Sequence, residues 1–219
     1  MDELIEAEPY ALEVVDSPPD IEQLLSDLIS GDVTRRMLAA RAFSEIQDER
    51  SVPALIDLLA DDCPLVRVSA AYALGRNPCP AAVEPLIATL LQDWNGYVRK
   101  GLVWALGNCQ DARAFDSLVD ALVTDIPAVQ LWAASALGQL GDPRAVAPLA
   151  TALKADPVAV VRSNCAWALG KLGDKEAGVP ALLSALDDDD LSVQQDVREA
   201  LNTLGYHYET DAADPFEIA

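Results

Sequence analysis

Apolar and polar positions repeat along this chain with a period of about 32 residues. Five strings of similar pattern follow one another: VRVSAAYALG, VRKGLVWALG, VQLWAASALG, VRSNCAWALG and VQQDVREALN. They align without a gap, and their closing leucines are Leu74, Leu106, Leu137, Leu169 and Leu201. A pattern that recurs at this spacing indicates a solenoid, in which each repeat buries its apolar face against its neighbours. Such a stack favours a binding surface over a catalytic pocket.

Each repeat is predicted to contain two helices, A and then B. Helix A shows in apolar residues spaced three and four apart, such as Val52, Leu55 and Leu59. Helix B is the aligned string. Its closing leucine and the residues one, four and eight positions before it fall on one arc at about 100° per residue, which predicts the core. A glycine follows the leucine in four repeats and indicates the end of helix B, at Gly75, Gly107, Gly138 and Gly170.

The pattern therefore predicts an all-α protein, an α-solenoid of about six helical hairpins wound as a right-handed superhelix. The hairpins cover residues 21–205, with Phe43 in place of the closing leucine in the first repeat. The repeats are expected at about 21–50, 51–80, 81–112, 113–143, 144–175 and 176–205. Residues 1–20 and 206–219 are acidic segments that we expect to be mobile and solvated.

Net charge narrows the class of partner. The chain carries 36 acidic and 15 basic side chains, for a formal charge of −21 at pH 7. Because phosphate binding needs the opposite sign, we expect neither nucleic acid nor an anionic membrane as a partner. No apolar run approaches the roughly 18 residues that span a bilayer, and the N-terminus lacks a signal or transit pattern. We therefore expect a soluble, cytoplasmic protein with reduced cysteines, whose partners are proteins or small molecules.

Acidic and basic residues recur in register across the turn between the two helices. The pairs are Asp61 with Arg67, Asp93 with Arg99, and Asp156 with Arg162. We interpret them as a ladder of ion pairs between neighbouring repeats, which fixes the stacking geometry, rather than as ligand-binding groups. Gln130 and Gln194 stand where arginine would be expected, so the ladder should be broken there or replaced by neutral hydrogen bonds.

The candidate binding site is the concave side of the stack. Helix B lines it with the residues two and six positions before its closing leucine, and Trp132 lies on the flank. The predicted site residues are Arg41, Val68, Tyr72, Lys100, Trp104, Leu131, Trp132 and Trp167. We expect their rings to form one apolar stripe beside positive charge, which suits a partner that carries carboxylates. The alternative is that adjacent helices crowd these rings into a closed wall.

A second contact is predicted at the turn DWNGYVRK between helices A and B of the third repeat. Trp94 and Tyr97 are the two aromatic residues of this turn. They are candidates for a contact with a partner and, equally, for a staple between repeats.

Catalytic residues are not indicated. The one histidine, His207, lies in the C-terminal segment, so a histidine-based triad or a His-rich metal site cannot form within the stack. Phosphate-loop, dinucleotide-binding and HExxH motifs do not occur.

The cysteines are the remaining candidates for chemistry. Cys165 stands at a core position. Cys79 and Cys109 follow helix B of successive repeats and are candidates for a shared metal ion or iron–sulfur cluster, although the usual CxxC spacing is absent. Otherwise no cofactor is expected.

The repeats resemble HEAT repeats of the phycobilisome-lyase type. HEAT repeats carry a proline in helix A and an aspartate and arginine at the ladder positions, and here the prolines are Pro53, Pro85, Pro148 and Pro180. Within that family, DCPLVRVSAAYALGRNP (Asp62–Pro78) and DWNGYVRKGLVWALGNC (Asp93–Cys109) are similar to small cyanobacterial HEAT-repeat proteins that interact with A-type iron–sulfur carriers.

The resemblance implies a non-enzymatic scaffold in a phototroph, an accessory or regulator of iron–sulfur carrier proteins that binds an A-type carrier. It also implies an alternative, a phycobilin lyase or chromophore-handling factor with phycobiliprotein subunits as partners. In that case the tryptophans of the candidate site would stack on a bilin, and Arg41, Lys100 or Arg99 would pair with its propionates.

Overall fold

The computed structural model of the protein describes residues 19–206. Within this range the chain forms twelve α-helices and no β-strand, which confirms the predicted all-α fold. The helices are α1 (Ile21–Leu28), α2 (Val33–Ala42), α3 (Val52–Asp57), α4 (Pro64–Arg76), α5 (Pro80–Gln92), α6 (Gly96–Cys109), α7 (Phe115–Thr124), α8 (Pro127–Leu140), α9 (Val146–Ala155), α10 (Ala159–Leu172), α11 (Lys175–Leu183) and α12 (Leu191–Thr203). None of these helices combines the length and the apolar character needed to cross a membrane. Residues 1–18 and 207–219, and with them His207, lie outside the described residues, so the expectations for the acidic ends stay predictions.

Consecutive helices pair as six hairpins, which confirms the predicted α-solenoid. The odd-numbered helices are helix A of each repeat, and the even-numbered ones are helix B. Side-chain oxygens accept hydrogen bonds from free backbone N–H groups where several helices begin: Asp20 caps α1, Asp32 caps α2 and Asn95 caps α6. Short 3₁₀ turns lead into α3, α7 and α9, at Glu49–Ser51, Ala112–Ala114 and Pro143–Ala145.

The core follows the predicted arc of helix B. The closing leucines of repeats 2 to 6 are at most 1% exposed, and Phe43 fills that place in repeat 1. The valines at the start of the arc are also fully buried, at Val66, Val98, Val129, Val161 and Val193. Because each such side chain contributes roughly 1.5–3 kcal/mol on burial, the repeated string is a main source of the stability of the stack, together with the equally buried leucines of the A helices.

The glycine after each closing leucine does not end its helix, so the prediction for it was wrong. Gly75, Gly107, Gly138 and Gly170 are buried inside α4, α6, α8 and α10. A β-carbon at Gly138 would lie 2.9 Å from the Cα of Ala168 in the next helix B, so a side chain cannot fit between the two backbones. These glycines allow neighbouring B helices to touch.

The helices end a few residues later. Gln110, Gly141 and Gly173 take the left-handed backbone conformation at the C-caps of α6, α8 and α10. This conformation costs glycine little, which suits Gly141 and Gly173 to the position.

The B helices contact one another more extensively than the A helices do, from α2 on α4 to α10 on α12. Since they meet across glycine and alanine while the A helices remain further apart, the stack curves with the B helices on its inner side. The outward-facing residues of helix B therefore lie on the concave surface.

An arginine ladder crosses the repeats. The Arg67 guanidinium donates to the Asp93 carboxylate of the next repeat at 2.6 and 3.0 Å, and to the Asp61 backbone carbonyl of its own repeat at 2.8 Å. The other rungs join Arg36 to Asp61, Arg99 to Asp125, and Arg162 to Asp188. The predicted ladder between repeats is confirmed. Each arginine, however, pairs with the aspartate of the following repeat and not with the carboxylate six residues before it.

Where glutamine stands in place of arginine, the side chain makes a neutral hydrogen bond and no ion pair, as predicted. Gln130 donates through Nε2 to the Leu122 carbonyl at 2.9 Å, and Gln194 donates to the Asp188 carbonyl at 2.7 Å. Asp156, which would accept an arginine of repeat 4, keeps the bond from the backbone N–H of Val158 at 2.8 Å, a bond that three of the four paired aspartates also accept from the residue two positions on. At the junction of repeats 4 and 5, a neutral hydrogen bond within one repeat thus stands where the other junctions have an ion pair. Gln194, in contrast, keeps the bond to the carbonyl six residues back that the ladder arginines also make.

Candidate functional site

Two aromatic rings from neighbouring repeats meet on the concave side. The ring centroids of Tyr72 on α4 and Trp104 on α6 lie 5.1 Å apart, with the planes inclined by 55°. Both residues stand two positions before the closing leucine, so the stacking of the repeats brings them side by side. Both are half-buried, which leaves part of each ring open to a partner.

These rings border a groove of about 580 Å³ formed by α2, α4 and α6, which we call the N-terminal groove. Its lining residues are Met37, Arg41, Ser44, Glu45, Leu65, Val68, Ser69, Tyr72, Arg76 and Trp104. The fold therefore brings together four of the predicted site residues, from three different repeats. A concave, largely apolar surface with a few polar groups is the usual form of a binding site.

The N-terminal groove also carries positive charge in an acidic protein. Arg41 is exposed, and no ion pair joins it to another described residue. Arg76 approaches Glu45 at 3.6 Å and donates to the Ser44 carbonyl at 3.2 Å. An exposed pair of that length is weak, so both guanidinium groups are available to a carboxylate.

Lys100 and Trp132 form a separate pair beside the N-terminal groove. The Lys100 Nζ lies 5.9 Å from the centroid of the Trp132 ring, at the outer limit of a cation–π contact. Trp132 and its neighbour Leu131 are half-buried against the core. The structure does not place these three predicted site residues in the groove wall.

Trp167 lies apart from the other rings. It is 45% exposed and borders a smaller hollow of about 120 Å³ with Asp196 and Glu199. Ser135 occupies the equivalent position in the repeat between Trp104 and Trp167, and its hydroxyl bonds to Asn164 Oδ1 at 2.9 Å. The rings therefore do not form the single stripe that the sequence suggested, nor are they sealed in a closed wall. Whether they bind a partner stays a prediction.

Trp94 and Tyr97 stand at the A-to-B edge of repeat 3, where they are 76% and 80% exposed. Side chains so open contribute little as a staple between repeats and remain candidates for a second contact. Sequence reasoning missed Leu65, which is 61% exposed and lines the N-terminal groove. Leu65 stands nine positions before its closing leucine, as Tyr97 does, so extending the position count by one more turn would have found it.

Within residues 19–206, no three His, Cys, Asp or Glu side chains are grouped so that they could hold a metal ion. Cys79 and Cys109 are half-buried and close enough to interact, and burial raises the pKa of the Cys109 thiol to about 11. A metal ion or iron–sulfur cluster on this pair stays a prediction. Cys165 is fully buried in the core, as predicted.

The stacked hairpins define an α-solenoid with a groove on the side of the B helices. The chain belongs to the HEAT-repeat family: the family model for HEAT repeats matches residues 19–90, 83–169 and 155–217. A HEAT-repeat stack of this kind supports a protein-binding role.

Several known proteins are similar to this chain. The complex of CpcE and CpcF of phycocyanin lyase from Nostoc is 26% identical, with a TM-score of 0.66 over 91% of this chain and 82% of that one. A designed armadillo repeat protein in complex with the peptide (KR)4 has a TM-score of 0.66 at 22% identity, covers 85% of this chain and 100% of its own, and shows the fold alone. Deoxyhypusine hydroxylase of Drosophila melanogaster is 35% identical over 102 residues, which are 46% of this chain. The chain spans 33% of the length of that relative.

Proposed function

We propose that this protein is a non-enzymatic scaffold that binds another protein in the N-terminal groove. The observation that carries the proposal is the half-open pair of Tyr72 and Trp104 beside Arg41, whose charge has no ion-pair partner among the described residues. Aromatic rings bury much area at small entropic cost, and a guanidinium recognises a carboxylate through two parallel hydrogen bonds.

The arrangement is also rigid before a partner arrives. The rung from Arg36 to Asp61 and the rung from Arg67 to Asp93 link the three repeats that form the N-terminal groove, at 2.7 and 2.6 Å. Because the groove walls are held by the ladder and by glycine-mediated helix contacts, a partner would lose little affinity to ordering them.

The partner we propose is an A-type iron–sulfur carrier, which makes the protein an accessory or regulator of such carriers. The two segments that carry the resemblance, Asp62–Pro78 and Asp93–Cys109, contain the whole of α4 and α6. They therefore supply both rings of the N-terminal groove, so the resemblance and the candidate site coincide.

A second candidate is a chromophore-handling role with phycobiliprotein subunits as partners. It is favoured by the 26% identity to the CpcE and CpcF complex over 91% of this chain. Arg99 drops out as a propionate ligand because Asp125 holds its guanidinium at 2.6 Å. Arg41 and Lys100 remain for that role.

The test is a calorimetric titration of the full chain with a purified A-type carrier and, separately, with phycocyanin subunits. Arg41→Glu and Trp104→Ala should each weaken binding of the true partner at least tenfold, about 1.4 kcal/mol or more. The matched control is Arg35→Glu, which reverses a charge on the same helix as Arg41 but outside the N-terminal groove. Thermal melts of each variant separate lost binding from lost folding, which matters for Trp104 because its ring packs on Gly75.

The outcomes discriminate between the candidates. Binding of the carrier alone supports the first candidate, and binding of phycobiliprotein subunits alone supports the second. Equal losses in Arg41→Glu and Arg35→Glu would show that neither partner binds in the N-terminal groove. Free phycocyanobilin provides a further probe, since a saturable red shift of its absorbance that Trp104→Ala abolishes would favour chromophore handling.

A further inference from the structure

The positive charge of this protein is confined to the repeats. All 15 Lys and Arg side chains belong to residues 19–206, and nine of them make ion pairs there. The six others are Arg41, Lys100, Lys154, Lys171, Lys175 and Arg198. Arg41 lines the N-terminal groove, and Lys100 stands one turn before Trp104 on the same helix. The groove thus combines apolar walls with the unpaired Arg41 and the weakly paired Arg76 in a chain whose net charge is −21.

The chemistry that complements this groove is present in the chain itself. Residues 1–18 read MDELIEAEPYALEVVDSP, with six carboxylates, no Lys or Arg, and apolar residues between the acids. Leu4, Ile5, Tyr10 and Leu12 could fill an apolar groove while neighbouring glutamates meet Arg41 and Arg76. The segment therefore offers apolar side chains for the groove walls and carboxylates for the two arginines of the groove.

The segment also enters the fold at the right end of the stack. It leads into α1 of repeat 1, where Glu22 pairs with Arg50 at 2.7 Å. Arg50 is five residues along the chain from Glu45, a groove residue, and five residues span at most about 18 Å. Eighteen residues reach up to about 60 Å, so length does not prevent them from entering the groove. The other acidic segment, residues 207–219, leaves from repeat 6 at the opposite end.

We infer that residues 1–18 occupy the N-terminal groove of their own chain when no partner is bound and compete with the partner for it. The inference rests on the proposed docking role of the groove but not on the identity of the partner. The acids would pair with Arg41, and the apolar residues would cover the exposed parts of Tyr72 and Trp104. A partner must then displace the segment, so its apparent affinity is lowered by the fraction of closed molecules.

The experiment is photo-crosslinking of the full chain alone, at low concentration, with Tyr10→p-benzoylphenylalanine. After irradiation, monomer and dimer bands are separated and the cross-linked residues are mapped by mass spectrometry. We expect cross-links within the monomer to the N-terminal groove, near Met37 and Tyr72, and a falling yield as salt screens the exposed ion pairs. Cross-links in the dimer band, cross-links scattered over other surfaces, or their absence would overturn the inference.

Two variants make the result specific. Arg41→Glu should reduce the yield at least fivefold, whereas Arg35→Glu should leave it unchanged because Arg35 lies on the same helix, faces Asp27 at 3.7 Å and does not line the groove. Replacing Glu6, Glu8 and Glu13 by glutamine should also reduce the yield without touching the folded repeats. Equal losses in the two arginine variants would contradict the inference. Since no partner is present, a negative result here leaves the partner titrations as an independent test of the proposed function.

Discussion

Trp104 lies directly over Gly75 of the preceding repeat. A β-carbon at Gly75 would be 2.6 Å from Cζ3 of the indole and 2.8 Å from the Cα of Ala105. Gly75 thus has two roles. It lets α4 and α6 approach closely, and it leaves the space into which the indole of Trp104, a groove residue, packs. The glycine that follows the closing leucine of the repeat therefore also positions a residue of the candidate site.

Gly75→Ala should therefore destabilise the protein although alanine is the better helix former. The added methyl group meets backbone atoms that cannot move aside, and overpacking of this kind costs typically about 1–3 kcal/mol. Urea unfolding followed by circular dichroism measures the change in the free energy of unfolding.

The matched control is Gly178→Ala in α11. A β-carbon there would find its nearest atoms at 3.8 and 3.9 Å, an ordinary contact. This variant should gain up to about 1 kcal/mol from helix propensity. If both variants were stabilised alike, close approach across Gly75 would be refuted.

Gln130→Arg should restore the missing rung between repeats 4 and 5. The new guanidinium would face Asp156, and hydrogen bonds to charged groups contribute about 1.5–3 kcal/mol when well placed, less the cost of ordering the side chain. We expect a higher urea midpoint by an amount equivalent to about 1 kcal/mol. The gain should vanish when Asp156→Asn is added, and a gain that survives in that double variant would show that the ladder is not its source.

The rung of Arg162 and Asp188 predicts a loss of stability in acid. The hydrogen bond from Arg162 lowers the pKa of Asp188 below its ordinary value of 3.8. A carboxyl whose pKa is lower in the folded than in the unfolded state stabilises the fold above the unfolded pKa, and this contribution is lost as pH falls through the folded value. Urea midpoints measured from about pH 6 down to about pH 3 should therefore fall below about pH 4. Arg162→Gln, which carries the residue found in repeats 4 and 6, should show a shallower fall, and an unchanged slope would contradict this account.

The four cysteines should differ in their reaction with Ellman's reagent. Burial raises the pKa of Cys165 to about 12 and that of Cys109 to about 11, so at about pH 8 the Cys109 thiolate is roughly 100-fold rarer than at an ordinary pKa of 9.0. Cys63 and Cys79 are partly exposed and should react first, Cys109 slowly and Cys165 only on unfolding. Mass spectrometry of quenched samples gives the order, and in urea the differences should disappear. Fast labelling of Cys165 in the native protein would show that its helix packing opens.

The fold was predictable because its information is local and repeated. The arc that ends in Leu106 or Leu137 specifies a buried helix face, and five aligned copies leave one register for stacking them. The role of the glycines was not predictable in the same way. The segments GQLG (138–141) and GKLG (170–173) each contain two glycines. The first lies within the helix, and the second, Gly141 or Gly173, takes the left-handed conformation. In the sequence, either glycine looks like the end of a helix.

The candidate site was predictable only as a set of positions. The sequence placed Tyr72 and Trp104 on one face, but their contact depends on how far each repeat turns relative to the last, which the period does not contain. The rotation between repeats also determines which aspartate pairs with each ladder arginine. Arg99 has an aspartate six residues before it, but the rotation brings Asp125 of the next repeat to its guanidinium.

Every rung of the ladder runs in one direction, with the donor upstream and the acceptor in the unit downstream. Excision of one whole unit, for example the stretch from Asp93 to Thr124, would bring Arg67 opposite Asp125 and leave a matched joint. The same holds for the duplication of a unit. Outside the unit that carries Gln130, the chain can therefore change its length by whole modules without exposing an unmatched charge, which gives genetic recombination a simple way to lengthen or shorten the surface it offers.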